Sequence, residues 1–305
     1  MPSVSSVQEA AALLASAHEE GRRLRIGEEL TTERLDRILE HETGDLTCTV
    51  EAGIRLSELN AELARHGQRL SLDPPGDPTV GGLLARNLSG PLRHRFGAPR
   101  DLVLGATLVL GDGTVASSGG KVVKNVAGYD LARLVCGSAG RLAFVVRASF
   151  RLHPLPRATR TVVAETDAPA RAVAALVRSH LQPSALDVLH PGRVAVLFEG
   201  SPRAVEAQVV SATRLLERIG ALVTLRHEHE PLDESRARQG AARGRVRFEP
   251  GRLADVLRTL SEAVVRPAAG VAYVPEPVPE EEEPAVRRLT EAIRTAFDPR
   301  GVLSG

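Results

Sequence analysis

Two stretches of the chain hold most of the residues whose types and spacing could do chemistry. Residues 119–140 read GGKVVKNVAGYDLARLVCGSAG, with Lys121, Lys124, Asn125, Asp130 and five glycines between two apolar runs. Residues 77–101 read DPTVGGLLARNLSGPLRHRFGAPRD and repeat the mix of glycine with Thr, Asn and Ser. Glycine lets bare backbone N–H groups come close to an anion, so the chemistry suggested is the holding of a phosphate or pyrophosphate. Composition leaves a blander reading open, in which both stretches are tight turns at a sheet edge.

The common nucleotide motifs do not account for these glycines. ASSGGKV resembles a P-loop, but the first glycine of that motif would fall on Val115, and Val122 follows Lys121 where a hydroxyl is needed for magnesium. No G-x-G-x-x-G follows a strand, which argues against a Rossmann site. His227 and His229 have metal-like spacing without a third ligand cluster nearby, so a solvated strand end is the better reading. The arginines of ESRARQGAARGRVRFEP (234–250) could bind an anion, although acidic residues are interspersed through that half. Residues 280–283, EEEE, read as a solvated linker or helix entry.

Composition narrows the class. With 305 residues there is room for about two domains, and 43% hydrophobic with 25% charged residues is ordinary for a globular protein. A net charge of +1 gives no reason to expect nucleic acid or an acidic membrane surface. Cys48 and Cys136 are the only cysteines, which excludes a disulfide framework and an iron–sulfur cluster, favours a reducing compartment, and leaves one bridge open. The first residues lack the basic leader of a signal peptide. They read as an amphipathic helix with Val7, Ala11, Leu14 and Ala15 on one face and Ser6 as its cap. No run approaches the roughly 18 apolar residues of a membrane span, so a cytoplasmic protein is expected.

The elements that must position the glycine stretches alternate between helix and strand. LRIG is expected as a strand, TTERLDRILEH (31–41) as a helix, LTCTVEAG as a strand and RLSELNAELARHG as a second amphipathic helix. QRLSL is a strand, and DLVLGATLVLGDGTVASSG is a hairpin turning at GDG. LAFVVRASFRLHPLP is a long strand closed by Pro154 and Pro156. Beyond those prolines the order becomes β-α-β-β-α-β over about residues 159–228, a ferredoxin-like split unit that reads as complete in itself. An arginine-rich segment of less regular pattern follows, then a helix at GRLADVLRTLSEAV, a strand at GVAYV and a last helix at AVRRLTEAIRTAF.

Here the residues carry a resemblance. TVGGLLARNLSGPLRHRFGAPRDLVLGATLVLGDGTV, followed by GGKVVKNVAGYDLARLVCGSAGRLAFVVRASFRLHPLP, resembles the FAD-linked oxidase family with its vanillyl-alcohol oxidase type of FAD-binding domain. KNVAGYDLARL followed by GSAG is similar to the FAD-binding E subunit of bacterial glycolate oxidase, and the similarity runs from about residue 33 to 156, with TAFDPRGVL matching near the end. The resemblance implies an α+β fold: an FAD-binding PCMH-type domain of two subdomains over 1–156, a smaller ferredoxin-like cap over 157–288, and a C-terminal helix over 289–305 that returns to the FAD domain. It also implies FAD as cofactor. Pro74 and Pro75 would shape the approach to the flavin, and Thr79, Val80, Gly81, Gly82, Asn87, Ser89 and Gly90 would surround its pyrophosphate and ring. Lys124, Asn125, Gly128, Tyr129 and Asp130 fall in the family's K-N-V-A-G-Y-D signature, and Gly137, Ser138 and Gly140 would line the cofactor.

By the same resemblance the chain is expected to be the FAD-binding subunit of a glycolate oxidase-like complex. Such a complex oxidises a 2-hydroxy acid by hydride transfer to flavin and passes electrons to an iron–sulfur subunit, beside a paralogous FAD-linked oxidase subunit and peripheral to the inner membrane. No catalytic base is named by the pattern. Three positions depart from the family. The first phosphate loop keeps only Arg25 and Gly27 and puts Glu28 and Glu29 where an anion would lie; GSAGRLA carries Arg141 and Ala143; and the chain stops at GVLSG. These departures are what a flavin-free structural subunit of the same complex would show, and that alternative stands beside the first.

Overall fold

The computed structural model describes residues 3–120, 130–226, 230–279 and 283–304. Helix α1 (Val7–Glu20) starts where Ser6 Oγ accepts the Glu9 N–H and ends at Gly21 in the left-handed region, burying Val7, Ala10, Leu14 and Ala17. Strand β1 (Leu24–Arg25) follows. The segment expected as a helix over 31–41 is extended instead: β2 (Ile38–Glu42) pairs antiparallel with β3 (Thr47–Glu51). Its leucine spacing is claimed by tertiary partners. Leu30 and Leu35 are buried beneath α1, and the Leu35 carbonyl accepts the Gly53 N–H at 2.7 Å. Packing overrides a weak local preference.

Next come α2 (Leu56–Ala64), β4 (Gln68–Arg69), α3 (Val80–Arg86), α4 (Arg93–Phe96) and α5 (Pro99–Leu102). The expected hairpin is present as β5 (Val103–Val109) and β6 (Val115–Gly119). The short helix α6 (Leu131–Leu134) leads to β7 (Phe144–Arg151) and β8 (His153–Pro154). A five-stranded antiparallel sheet results, in the order β2-β3-β7-β5-β6. Successive side chains of β7 point to opposite faces, so Phe144 and Val146 meet α1 while Val145 joins the core shared with α2 and α3.

The second half begins with β9 (Ala158–Glu165), α7 (Pro169–Val177), β10 (Ala185–His190), β11 (Arg193–Gly200), α8 (Pro202–Arg218) and β12 (Leu222–Arg226). These strands lie antiparallel in the order β12-β9-β11-β10, but the unit is not complete in itself. After α9 (Glu230–Ala241), the strands β13 (Gly244–Arg247), β14 (Ala263–Arg266) and β15 (Val271–Val274), with α10 (Leu253–Thr259) between, add β14-β15-β13 to the free edge of β10. An open row of β10 backbone groups explains the addition, and all four residues of β14 are buried against it. The arginine-rich segment is therefore a helix and a strand.

The chain ends in α11 (Pro284–Phe297) and β16 (Leu303–Ser304). β16 pairs parallel with β1, and Val302 and Leu303 enter the core under α1. One face of the seven-stranded sheet is covered by α7, α8 and α10; on the other, Ala185, Ala195 and Leu197 meet Leu92 and Phe96 of the first half. Both cysteines are free, and burial pushes each thiol up to about 12. Among the described residues no helix is long and apolar enough to cross a membrane.

Candidate functional site

A cavity of about 1120 Å³ lies where the two halves face each other. It is slightly above the range of roughly 300–1,000 Å³ common for small-molecule sites. One wall is the turn Ile26–Gly27–Glu28, a second is Pro75 to Arg86, and a third is Gly140 with the start of β7. The second half closes it with Gln239, Gly240, Arg243, Arg245 and Tyr273.

Local chemistry explains the shape of the second wall. Thr79 caps α3, its Oγ1 accepting the Gly82 N–H at 3.2 Å, and the Gly81 N–H goes to the Ala52 carbonyl at 2.6 Å. A Cβ at Gly81 would lie 3.1 Å from that carbonyl oxygen, a tight contact, so glycine lets the turn sit this close to the sheet without displacing it. Gly140 has φ +78 and its Cβ would stand 3.0 Å from Ile26 Cβ. The two glycine stretches lie side by side, because the Gly137 and Ala139 N–H groups donate to the Leu84 and Ala85 carbonyls at 3.0 and 2.8 Å.

The expected site residues separate into groups. Pro75, Thr79, Gly81, Gly82 and Gly140 line the cavity. Pro74 and Val80 are buried behind it. Asn87 ends α3 in the left-handed region, and its Oδ1 accepts the Arg100 N–H at 3.2 Å. Ser89 is buried against the second half, its carbonyl accepting Gln239 Nε2 at 2.9 Å, and Gly90 is buried within the first, where a Cβ would strike the Asp73 carbonyl oxygen at 1.7 Å. Asp130 is exposed and caps α6, accepting the Arg133 N–H at 3.1 Å. Gly137 is exposed and Ser138 half-buried in the turn that follows. Lys124, Asn125, Gly128 and Tyr129 lie outside the described residues, as do His227, His229 and residues 280–282.

Sequence reasoning passed over most of the wall from the second half. Arg243 and Arg245 stand in the arginine-rich stretch noted for anion binding, and that was the available signal. Tyr273 had none, and Gln239 lay in that same stretch without being singled out: both reach the cavity only because β15 and α9 are added beyond the split unit. Arg245 and Tyr273 are direct cross-strand partners, and the Arg266 guanidinium sits 5.1 Å from the Tyr273 ring centre.

A buried polar seam runs behind this wall. Arg266 Nη2 donates to Gln239 Oε1 at 2.7 Å, and Asp187, fully buried, accepts from Ser235 Oγ and lies 3.6 Å from Arg266 Nε. Arg236 pairs with Asp73 at 3.1 Å. Burial pushes the Asp73 carboxyl up to about 7, against the pull of Arg236 and the Leu92 amide. Burial also lowers His94.

The charges facing the cavity belong to Arg55, Arg86, Arg243 and Arg245 on one side of the balance and Glu28, Glu33 and Asp77 on the other. Two of the carboxylates are engaged: Asp77 accepts from Ser57 N and Oγ at 2.9 and 2.7 Å, and Glu28 pairs with Arg25 at 2.9 Å. Gly27 and Gly76, both at positive φ, line the space with nothing within 4 Å of where a Cβ would be. Volume, bare backbone and surplus guanidinium charge fit a dinucleotide.

Comparison with known proteins agrees. Residues 25–119 match the family model described as an FAD binding domain. This segment is an FAD-binding domain. The chain is 30% identical over 217 residues to glycolate oxidase subunit GlcD of Bacillus subtilis, covering 67% of this chain and 44% of that protein. It is 40% identical over 125 residues to glycolate oxidase subunit GlcE of Escherichia coli, covering 40% of this chain and 36% of that protein. A D-lactate dehydrogenase [cytochrome] 1 of Saccharomyces cerevisiae is 32% identical over 146 residues, 47% of this chain and 25% of that one. The chain thus spans less than half the length of these curated relatives. Of solved structures, an alkyldihydroxyacetonephosphate synthase superposes with a TM-score of 0.74 at 16% identity, over 98% of this chain and 74% of that one. The fold of the FAD-binding domain and of the half that covers it is therefore a known pairing.

Proposed function

We propose that this chain is the FAD-binding subunit of a glycolate oxidase-like oxidoreductase acting on a small 2-hydroxy acid. The observation that carries this reading is the cavity between the halves, walled on one side by residues of the FAD-binding domain and on the other by Gln239, Arg243 and Tyr273. The names of the curated relatives, glycolate oxidase subunits and D-lactate dehydrogenases, support the substrate class. When bound, the flavin supplies the hydride acceptor. The chain's own contribution is to hold and enclose it: Thr79, Gly81, Gly82 and Gly140 admit it closely, while Tyr273 and Gln239 shut out water.

In this reading residues 1–156 are the FAD domain, 157–288 the cap and 289–305 the returning C-terminal helix. The strand order β12-β9-β11-β10 supports a ferredoxin-like cap, enlarged by three strands. Pro74, Val80, Asn87, Ser89, Gly90, Asp130, Gly137 and Ser138 support the cavity wall from behind or from its rim, and Lys124, Asn125, Gly128 and Tyr129 complete the cofactor set. The partners are a paralogous FAD-linked oxidase subunit and an iron–sulfur subunit, and the complex is cytoplasmic, held at the inner membrane through those partners.

A second reading, a flavin-free structural subunit, is favoured by one observation: Glu28 and Glu29 both stand in the first turn, paired with Arg25. The absorbance spectrum of the purified chain, before and after incubation with FAD, separates the two. Flavin bands that survive gel filtration support the first reading. A colourless protein that takes up no FAD supports the second.

A further inference from the structure

The first turn is closed on itself. The Arg25 carbonyl accepts the N–H groups of Glu28, Glu29 and Leu30 at 3.3, 2.7 and 3.2 Å, and the Gly27 N–H goes to the Leu30 carbonyl at 2.9 Å. The Ile26 N–H is spent on the Ser304 carbonyl at 2.8 Å, so every amide from 26 to 30 already has a protein acceptor. The Arg25 guanidinium is spent too, on Glu28 at 2.9 Å and Glu29 at 3.4 Å. The Arg25 amide, donating to Glu29, holds that carboxyl below its usual range. An anion approaching this wall meets no open donor and a carboxylate.

Charge of the right sign is available on the other walls. Arg55 is tied to the Asp77 carbonyl at 2.8 Å, and Arg245 already has a partner. Arg86 folds back along α3, its Nε 3.4 Å from the Gly82 carbonyl, and has no carboxylate partner among the described residues. Arg243, between α9 and β13, is fixed through its backbone N–H on the Val274 carbonyl at 3.0 Å, while its exposed side chain has no ion pair among the described residues. Both line the cavity, one from each half.

We propose that a diphosphate bound in this cavity is neutralised by Arg86 and Arg243 and not by the amides of the first turn. Guanidinium forks suit phosphate oxygens and keep their charge at any pH the fold survives. The cofactor is then a bridge: its diphosphate ties the FAD-binding domain to the half that covers it. This rests on the FAD reading above and deepens it.

The test is fluorescence titration of the full chain with FAD and, separately, with riboflavin, which has the ring and no phosphate. Arg86→Ala and Arg243→Ala are each expected to weaken FAD by about tenfold and to leave riboflavin unchanged. Arg243→Lys, which keeps the charge, should recover most of the loss, and the fall of FAD affinity with added salt should be shallower in Arg243→Ala. Both side chains are exposed, and a thermal melt checks that the variants fold. Wild-type chain that binds FAD, with alanine variants that bind it equally well, overturns the inference and leaves the reading standing. Equal losses for FAD and riboflavin overturn it as well. Wild-type chain that binds neither ligand overturns the reading, and the inference with it.

Discussion

Arg69 and Glu199, 130 positions apart, form a two-pronged ion pair that joins the halves of the molecule. Nη1 meets Oε1 at 2.9 Å and Nη2 meets Oε2 at 2.7 Å, with the side chains only 15% and 5% exposed. The Arg69 guanidinium also lies 5.4 Å from the centre of the Phe96 ring, which further meets His153 at 4.7 Å and the Arg95 guanidinium at 5.7 Å. β4 and β11 are thus locked across the interface that also closes the cavity. A planar fork on a carboxylate sets an angle as well as a distance, which a lysine could not do.

Arg69→Ala should cost about 3 kcal/mol or more, because it strands a buried carboxylate. Replacing both partners with apolar residues, Arg69→Met with Glu199→Leu, should recover much of that, since no unpaired charge remains. Urea denaturation of the two variants beside wild type measures it. A double variant as unstable as the single one would mean that the arginine stem and its Phe96 contact matter more than the charge.

Asp73 gives the interface a pH dependence. Its carboxyl is raised from 3.8 to about 7 by burial, so the folded state holds a proton that the unfolded state has lost. The stability this group contributes is complete below about pH 4 and is lost as pH rises through about 7. His153 works in the opposite direction: burial, with Arg151 and Arg69 nearby, lowers it from 6.5 to about 4, so its contribution is lost as pH falls through 4. Asp73→Asn keeps an oxygen for the Leu92 N–H, now 2.9 Å from Oδ1, and should flatten the loss of stability between pH 5 and 8. Denaturation midpoints at those two pH values, wild type against variant, decide it; parallel losses would rule Asp73 out as the source.

The strands that carry the glycine stretches were legible because their signals are local. The GDG turn of the β5–β6 hairpin, Ser6 as a helix cap, and the β-α-β-β-α-β order beyond Pro156 each need only a few neighbours. The extended run at 31–41 was not legible, since Leu35 and Ile38 have helical spacing and only Gly53 and β3, distant in sequence, pull them straight. The same limit hid half of the candidate site. Tyr273 faces the cavity through β15, added beyond the β10 edge, and Gln239 through α9, which leads into those added strands; nothing within a dozen residues of either announces that edge. The notable departure, Glu28 and Glu29, was visible as a composition change, but not that Arg25 would absorb both charges.

The C-terminal return hangs on Asp298, which is 3% exposed. Its Oδ1 accepts the Val302 N–H at 2.9 Å and its Oδ2 the Leu303 N–H at 2.7 Å, which delivers β16 to β1. Gly111 makes room for it, since a Cβ there would stand 2.6 Å from Oδ1. Asp298→Ala should cost about 3 kcal/mol, two charge-assisted hydrogen bonds with two amides left bare. It should also expose the last residues to carboxypeptidase, read by mass spectrometry. An intact C-terminus at wild-type rates would show that Val302 and Leu303 hold by burial alone.

Two glycines near the cavity should respond in opposite ways. Gly53 is a packing glycine: a Cβ there would lie 1.8 Å from the Thr32 carbonyl oxygen, backbone against backbone, so Gly53→Ala should prevent folding or cost several kcal/mol. Gly82 is in the first turn of α3, and its Cβ would meet only Arg86 Nη2 and Thr79 Oγ1, both at 3.4 Å. In a helix alanine is better than glycine by about 1 kcal/mol, so Gly82→Ala should leave the melting temperature unchanged or raise it. Yet Gly82 lines the cavity, and the added methyl takes space from whatever binds there. A variant that melts no earlier than wild type but holds FAD several-fold more weakly would identify Gly82 as a glycine kept for the ligand. A variant that binds FAD as wild type does would mean that the cofactor stands clear of this turn, and that its close approach is made at Gly140 instead.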